Sequence, residues 1–358
     1  MNKFVLGALA LAASSTPCLA GSDSEYTKLD RDIESLATSL RPAASGASVS
    51  GFLRTAYKSS SDVVGGGGND LGGFSIDQAR LNVSGMVGNY SLFISAEGGG
   101  GDNMGIFGEV SGTGVVGVLD AHVSWPITPE IRGQIGAFRA PFLGSALRDE
   151  DRLLFMDRSS LGHEWSGRGA GLQVSGNFEM VSWAVAVMNG ADGAGNDLAW
   201  SARGTFAAMG AANHQEGAYG ATDQTSLTIG VGAADDQNLD DAAAFCVDGN
   251  FAMGALSAMF EFVDNGDDAA GITTPTTFVQ GNSPWDVAFG YMISPDQWEA
   301  AVRYQDYDDD DNTTAVTAGL NWYQSGHAAK WQFNYSTIAS DAAGNEIDVI
   351  QFGVTASI

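Results

Sequence analysis

Short segments in which apolar and polar residues alternate fill most of the chain after residue 48. In residues 330–336, for example, Trp331, Phe333 and Tyr335 alternate with polar side chains. Because successive side chains of a β-strand point to opposite faces, this pattern predicts strands with one apolar and one polar face. Sixteen such segments can be counted. They begin near Val49, Phe74, Tyr90, Val115, Ile131, Gly169, Val181, Leu198, Ser226, Phe245, Leu256, Trp285, Trp298, Thr314, Lys330 and Glu346.

The connections between these segments alternate in length. Short ones, such as residues 87–89 and 324–327, interleave with long ones rich in Gly and Asp, such as residues 98–114 and 264–284. Short turns at one end and long loops at the other, joined to an even number of strands, are typical of outer-membrane barrels. Residues 48–358 are therefore predicted to form an all-β fold, a transmembrane antiparallel β-barrel of about sixteen strands.

One connection breaks this alternation. Residues 209–225 are long where a short periplasmic turn is expected. Either this stretch contains a further pair of strands, or it is an insertion on the periplasmic side, and the residue pattern fits both.

The connection between the fifth and sixth segments, residues 139–168, combines charged residues with the apolar run 153–156. Packing this run against the inner wall of the barrel would fold the connection into the lumen and narrow it. We predict a constriction lined by charged residues of this loop and of the neighbouring wall, namely Arg80, Arg132, Arg139, Arg148, Asp149, Glu150, Asp151, Arg152, Asp157 and Arg158. The alternative is a loop that folds outward over the mouth of the barrel or a neighbouring subunit, since long loops usually lie on surfaces.

Basic residues are unevenly distributed along the predicted barrel. After Arg203 the basic residues are Arg303 and Lys330, among many acidic ones. The two halves of the sequence form opposite walls of a closed barrel. We therefore predict a lumen that is basic on one side and acidic on the other, with a transverse field that orients polar solutes.

The first 20 residues have the features of a secretory signal peptide: a basic residue, an apolar stretch and a small-residue cleavage site that ends at Ala20. Pro17 argues against lipidation of Cys18. Cleavage after Ala20 leaves Cys246 as the remaining cysteine, so no intrachain disulfide is expected.

Residues 21–42 are predicted to form a periplasmic amphipathic helix with a coiled-coil seam. Its apolar residues recur at spacings of three and four, the heptad a/d pattern, and are Tyr26, Leu29, Ile33, Leu36 and Leu40. Two heptads are marginal alone, because helices shorter than about 12–15 residues barely hold in water. We predict that this helix self-associates in a homotrimer; a single helix that caps the barrel is the alternative.

The chain is strongly acidic. Its formal net charge is −27 at pH 7, and removal of the signal peptide with Lys3 makes it −28. Such a charge argues against nucleic acid and against an anionic membrane surface as partners. Outer-membrane lipid, small hydrophilic solutes and ions are the partners that a transmembrane barrel predicts.

Motifs for cofactors, metals and catalysis are weak. A Gly-rich fingerprint at residues 112–117 precedes a predicted strand rather than the helix that dinucleotide binding requires. The four histidines, His122, His163, His214 and His327, lack the spacing of zinc ligands. The Gly-x-Ser-x-Gly motif of hydrolases does not occur. We therefore predict no cofactor, no metal site and no enzymatic activity.

Three stretches of the chain resemble the family of phosphate-selective porins O and P. They are FSIDQARLNVSGMVGNYSLFISAEGG from Phe74, LDAHVSWPITPEIRGQIGAFRAPFLGSALRDEDRLLFMDRSS from Leu119 and SGRGAGLQVSGNF from Ser166. The resemblance implies a trimeric sixteen-stranded channel in the outer membrane whose third loop folds inward.

The chain departs from that family where its selectivity is concerned. Asp77 and Gln78 stand where family members often carry paired arginines before the Ala-Arg-Leu step, and the lysines of the barrel are Lys58 and Lys330. Phosphate selectivity requires dense positive charge or many donors. We therefore predict passive diffusion of small hydrophilic solutes and ions. A phosphate- or anion-selective channel and a structural or adhesive barrel are the alternatives.

Truncation of residues 21–41 tests the predicted helix. Removing the seam should weaken the trimer in mild detergent, because the a/d contacts between subunits are lost. Native electrophoresis of the solubilised assembly measures the effect. A truncated trimer of unchanged stability would assign the helix another role.

Overall fold

The computed structural model describes residues 46–61, 71–98, 116–190, 198–221, 225–236, 243–265, 282–341 and 345–358. Residues 1–45, which contain the predicted signal peptide and coiled-coil helix, lie outside the described residues. Among the described residues, no helix is long and apolar enough to span a membrane.

In the described part of the chain, sixteen antiparallel strands form one closed barrel, in which sequential neighbours pair and β1 pairs with β16. The strands are β1 (Ser48–Ser60), β2 (Leu71–Val87), β3 (Tyr90–Gly98), β4 (Gly117–Pro126), β5 (Ile131–Arg139), β6 (Arg168–Asn177), β7 (Val181–Asn189), β8 (Leu198–Met209), β9 (Thr225–Asp236), β10 (Ala244–Met253), β11 (Leu256–Asp264), β12 (Trp285–Ser294), β13 (Trp298–Asp306), β14 (Thr314–Tyr323), β15 (Ala329–Ser340) and β16 (Asn345–Ser357). The predicted fold is confirmed, and every strand begins within three residues of its predicted start.

Side chains alternate in the reverse sense to a soluble barrel, with apolar residues outside and polar residues inside. In β15, Phe333 and Tyr335 are exposed, whereas Lys330, Gln332 and Asn334 are buried in the interior. This arrangement suits a bilayer, since a basic side chain on the lipid face at mid-depth costs about 2–4 kcal/mol.

Aromatic rings cluster on the outer face near the short turns. Trp125 covers Gly133 of the neighbouring strand, where a Cβ atom would come within 2.6 Å of the ring. Trp298 stacks on Trp322 with ring centroids 5.6 Å apart. A belt of aromatic residues at the strand ends is typical of the boundary between bilayer and water.

A bulge between β1 and β2 changes the inner wall. The pairing shifts between Arg54 and Thr55, and both Asp77 and Gln78 are buried. A regular strand would turn one of two successive residues outward. Asp77 lies 3.5 Å from Arg54 and 3.3 Å from Lys58, so the bulge adds a carboxylate to a basic part of the wall.

The connection between β8 and β9 is an insertion rather than a pair of strands in its described part. Residues 210–221 contain neither strand nor helix. Glu216 and Ala218 within them are buried, so the insertion packs against the protein instead of extending into solvent.

Candidate constriction of the barrel lumen

Residues 140–167, which connect β5 to β6, lie inside the barrel and are called the inner loop. The loop contains helix α1 (Gly144–Leu147), a 3-10 turn (Glu150–Arg152) and helix α2 (Ser160–Glu164). Its hydrogen bonds reach inward-facing side chains on β1, β10, β11, β13, β14, β15 and β16. A loop on the outside could not contact the interior side chains of so many strands.

Two apolar clusters attach the inner loop to the wall. In the first, Phe142 and Trp165, with ring centroids 4.0 Å apart, pack against β7–β11. In the second, Leu154 and Phe155 pack against β11–β13. The wall residues in these clusters include Ala186, Met188, Ala199, Ala234, Met259, Ala288 and Ala301. Inward alanines make room for the loop, and burial of each large side chain contributes about 1.5–3 kcal/mol.

Backbone carbonyls of residues 153–157, which lie outside the helices and strands, accept hydrogen bonds from the wall. Such carbonyls have no strand partner and must be satisfied by side chains when they are buried. The donor and acceptor pairs are Lys330 Nζ to Leu153 O (2.6 Å), Asn321 Nδ2 to Leu154 O (2.8 Å), Arg54 Nη1 to Met156 O (2.6 Å) and Arg303 Nη1 to Asp157 O (3.1 Å). Polar wall residues therefore fix the path of the loop.

Glu150 is the centre of a buried ion cluster with a net charge of +1. Its carboxylate accepts from Arg80, Arg139 and Arg158, the last at 2.6 Å, and Arg80 also pairs with Glu97 at 2.6 Å. Burial by itself would raise the pKa of Glu150, but the three guanidinium groups hold this pKa well below its ordinary value. The carboxylate therefore stays ionised, and four of the ten predicted site residues are in one cluster.

Asp157 lies apart from that cluster, near β1 and β16. It is 3.5 Å from Lys58 and accepts a hydrogen bond from Gln351 at 2.5 Å. Burial would raise the pKa of Asp157, but the charges of Lys58 and Arg54 bring it below its ordinary value.

Asp151 and Arg152 form a weaker pair, 3.7 Å apart, in which the Arg152 side chain is 48% exposed. Burial raises the pKa of Asp151 above its ordinary value. Arg148 is directed elsewhere, to Glu216 of the β8–β9 insertion at 3.2 Å.

A cavity of about 970 Å³ lies between the inner loop and the short-turn end of the barrel. Its wall belongs to β4–β10, and it is also lined by residues 211–214 and by three predicted residues, Arg132, Arg148 and Asp149. Arg132 donates to Ser124 Oγ at 3.1 Å. The predicted residues thus fall into several groups, and those that border this cavity are Arg132, Arg148 and Asp149.

Four buried acidic residues on neighbouring strands of the wall are among the residues that were not predicted as site residues. They lie one on each of β10–β13 and are Asp248, Glu261, Asp286 and Glu299. Glu261 accepts hydrogen bonds from Ser145 N (2.8 Å) and Oγ (2.5 Å), and Asp248 binds Arg203 through two bonds of 2.6 and 2.8 Å. Their signal in the sequence is an isolated acid at a polar position of an alternating strand.

Solved structures with a similar fold include outer-membrane porins and channels. A mutant of the Rh. blastica porin matches with a TM-score of 0.57 and 13% identity over 87% of this chain and 100% of that chain. A BenF-like porin of Pseudomonas fluorescens matches with a TM-score of 0.54 and 11% identity over 87% of this chain and 98% of that chain. The outer-membrane channel DcaP of Acinetobacter baumannii matches with a TM-score of 0.53 and 14% identity over 87% of this chain and 97% of that chain. No protein-family model matches the chain, and no curated protein sequence matches it.

Replacement of Glu150 by Gln tests the ion cluster. The variant should lose about 3–5 kcal/mol of unfolding free energy, because removal of one partner leaves buried charges uncompensated. Urea unfolding in lipid vesicles, followed by tryptophan fluorescence, measures the loss. Asp149→Asn, at the exposed neighbouring carboxylate, is the control and should change little.

The same comparison has an expected pH dependence. A carboxylate whose pKa is lowered on folding stabilises the folded state at pH values above its unfolded pKa, which is ordinarily 4.5 for Glu. This stabilisation is lost only as the pH falls through the folded pKa. The difference in unfolding free energy between wild type and Glu150→Gln should therefore be nearly the same at pH 7 and at pH 5.5. A difference that disappears between these pH values would contradict the cluster.

Proposed function

We propose that this protein is an outer-membrane porin through which small hydrophilic solutes and ions diffuse passively. The observation that carries the proposal is a closed barrel with an apolar outside and a polar inside, whose lumen is narrowed by a loop but retains a cavity of about 970 Å³. Barrels of sixteen to eighteen strands are wide enough for an aqueous channel. The similarity of fold to porins and channels supports the same role.

The buried charges of the lumen hold the loop in place and contribute to the electric field in the lumen, and they have no catalytic role in this proposal. Glu150 binds three arginines, Glu261 binds Ser145, and Glu299 accepts from Ala218 N and Tyr323 Oη, each at 2.6 Å. Such groups are engaged in structural bonds and are poorly placed to exchange protons with a passing solute. The assembly we propose is a homotrimer in outer-membrane lipid, held in part by the helix of residues 21–42.

Phosphate or anion selectivity, which the family resemblance implies, has weaker support. Lys58 lies 3.3 Å from Asp77 and Arg168 lies 3.1 Å from Asp120, and the four side chains are 7–21% exposed. A phosphate that approached such bases would also meet their carboxylates. We therefore favour a general channel with a weak preference for cations.

Deletion of residues 146–157 tests whether the inner loop is the constriction. Two serines on either side of the excised part, one and two positions outside it, contact one carboxylate: Ser145 Oγ lies 2.5 Å and Ser159 Oγ lies 3.4 Å from Glu261 Oε2. A short Gly linker can therefore join the ends without moving the wall. The barrel should fold, with higher single-channel conductance in planar bilayers and a larger exclusion limit for uncharged sugars, because the obstacle in the lumen is gone.

Deletion of residues 309–312, in the connection between β13 and β14, is the matched control and should leave both quantities near those of wild type. Unchanged conductance and sugar exclusion after loss of residues 146–157 would show that the loop does not constrict the channel. A folded wild-type barrel without any conductance would support a structural or adhesive role instead.

Reversal potentials in asymmetric KCl test the selectivity. We expect a weak cation preference at low salt that fades at 1 M, where the Debye length is about 3 Å. Arg132→Ala, which removes a charge from the cavity, should strengthen the preference, whereas Arg152→Ala, outside the cavity lining, should have less effect. Block of the chloride current by micromolar phosphate would contradict this proposal and favour the phosphate-selective one.

A further inference from the structure

We propose that residues 210–221, the β8–β9 insertion, are a second constriction element that enters the lumen from the short-turn end and is joined to the inner loop through Glu216. The inference deepens the proposed function and rests on it. Together the two elements fill the β10–β15 side of the lumen and leave the cavity along β4–β10 as the route for solutes.

The insertion reaches strands far from its own. Ala218 N donates to Glu299 of β13 at 2.6 Å, and Gly220 N donates to Asp296 in the β12–β13 turn at 2.9 Å. The ring of Tyr219 lies 4.6 Å from that of Tyr323 at the end of β14. A connection that begins at β8 and binds β13 and β14 must cross part of the barrel opening.

Glu216 joins this insertion to the inner loop through three bonds. Its carboxylate accepts from Arg148 Nη1 at 3.2 Å and from Leu154 N at 2.9 Å. Its own backbone N–H donates to Arg152 O at 3.1 Å. Since Glu216 is only 4% exposed, these bonds are shielded from water, and a charge-assisted bond of this kind is among the stronger ones in proteins.

Gly217 shows how closely the two elements are packed. It has a φ of +83°, and a Cβ atom there would lie 2.8 Å from the Glu299 carboxylate and 3.0 Å from Leu154 Cδ1. The insertion is thus enclosed between the wall and the apolar run of the inner loop. No space for a solute remains at this point.

The insertion also borders the open side. Residues 211–214 line the cavity together with Arg132, Arg203 and Asn250. Asn213 N donates to Thr228 Oγ1 at 3.2 Å, and Asn250 Nδ2 donates to Gln215 O at 2.9 Å, so this edge is fixed to β9 and β10. A solute that has passed the inner loop must also pass this edge to reach the short-turn end of the barrel. The edge therefore sets the width of the lumen at that end.

Deletion of residues 210–221 is the first test. Met209 pairs with Leu227 at the ends of β8 and β9, and the deletion leaves a three-residue connection, a length common in hairpins. The variant should show a higher conductance and a larger exclusion limit for uncharged sugars than wild type. Wild-type values for both in a folded variant would overturn the inference while leaving the porin proposal intact.

Glu216→Gln is the second test and does not depend on the deletion being able to fold. The substitution keeps the size of the side chain but removes the charge that binds Arg148 and Leu154 N. We expect increased fluctuation of the open-channel current, because the insertion separates from the inner loop more often. Glu179→Gln removes a carboxylate that, unlike Glu216, lines the cavity along β4–β10, and this variant should leave the current steady.

The outcomes separate the two proposals. Equal current noise in wild type, Glu216→Gln and Glu179→Gln would contradict the role of Glu216. The same change in both variants would assign the effect to charge alone and would equally contradict it. Absence of conductance in the folded wild-type barrel would instead overturn the proposed porin function, and with it this inference.

Discussion

The need to give every buried backbone N–H and C=O a partner determines this structure at two levels. In a bilayer no water satisfies these groups, so strands span it only when their ladder closes, as β1 does on β16. The same requirement recurs inside the lumen, where the inner loop has no ladder of its own. Lys330 and Asn321 donate hydrogen bonds to the carbonyls of residues 153 and 154, and Glu261 accepts one from an N–H group of α1.

Many of the charged side chains in the lumen therefore form hydrogen bonds with the protein's own backbone. Lysine and arginine bind loop carbonyls, Glu261 and Glu299 bind N–H groups, and Asp248 binds a guanidinium group. A charge held in this way contributes less to the field at a passing ion, because its partner's dipole or opposite charge lies within about 3 Å. The expected selectivity is thus weaker than a count of interior charges suggests, and it depends on groups such as Arg132 that face the cavity.

Strand positions were predictable from the sequence because they depend on a local period of two, and residues 153–156 stood out as an apolar run that needed a dry surface. The partners of the loop were not predictable. The contact between Glu216 and Leu154 joins residues 62 positions apart, and its existence depends on the closure and register of the whole barrel. The same holds for Asp77, which faces inward beside Gln78 because of a bulge that the alternation of residues does not reveal.

Sixteen strands alone would enclose a wide aqueous lumen, so in the proposed porin the limit on solute size must come from what the lumen contains. The wall is prepared for an occupied side: inward alanines on β7–β13 receive the inner loop, and Glu299 on β13 receives the insertion. Along β4–β10 the cavity is instead lined mainly by polar and charged side chains, such as Arg132, Thr205 and Asn250. The wall thus has parts shaped for protein and parts shaped for water, and β7–β10 contribute to both. In the proposed porin, the position of the channel follows from that difference rather than from the number of strands.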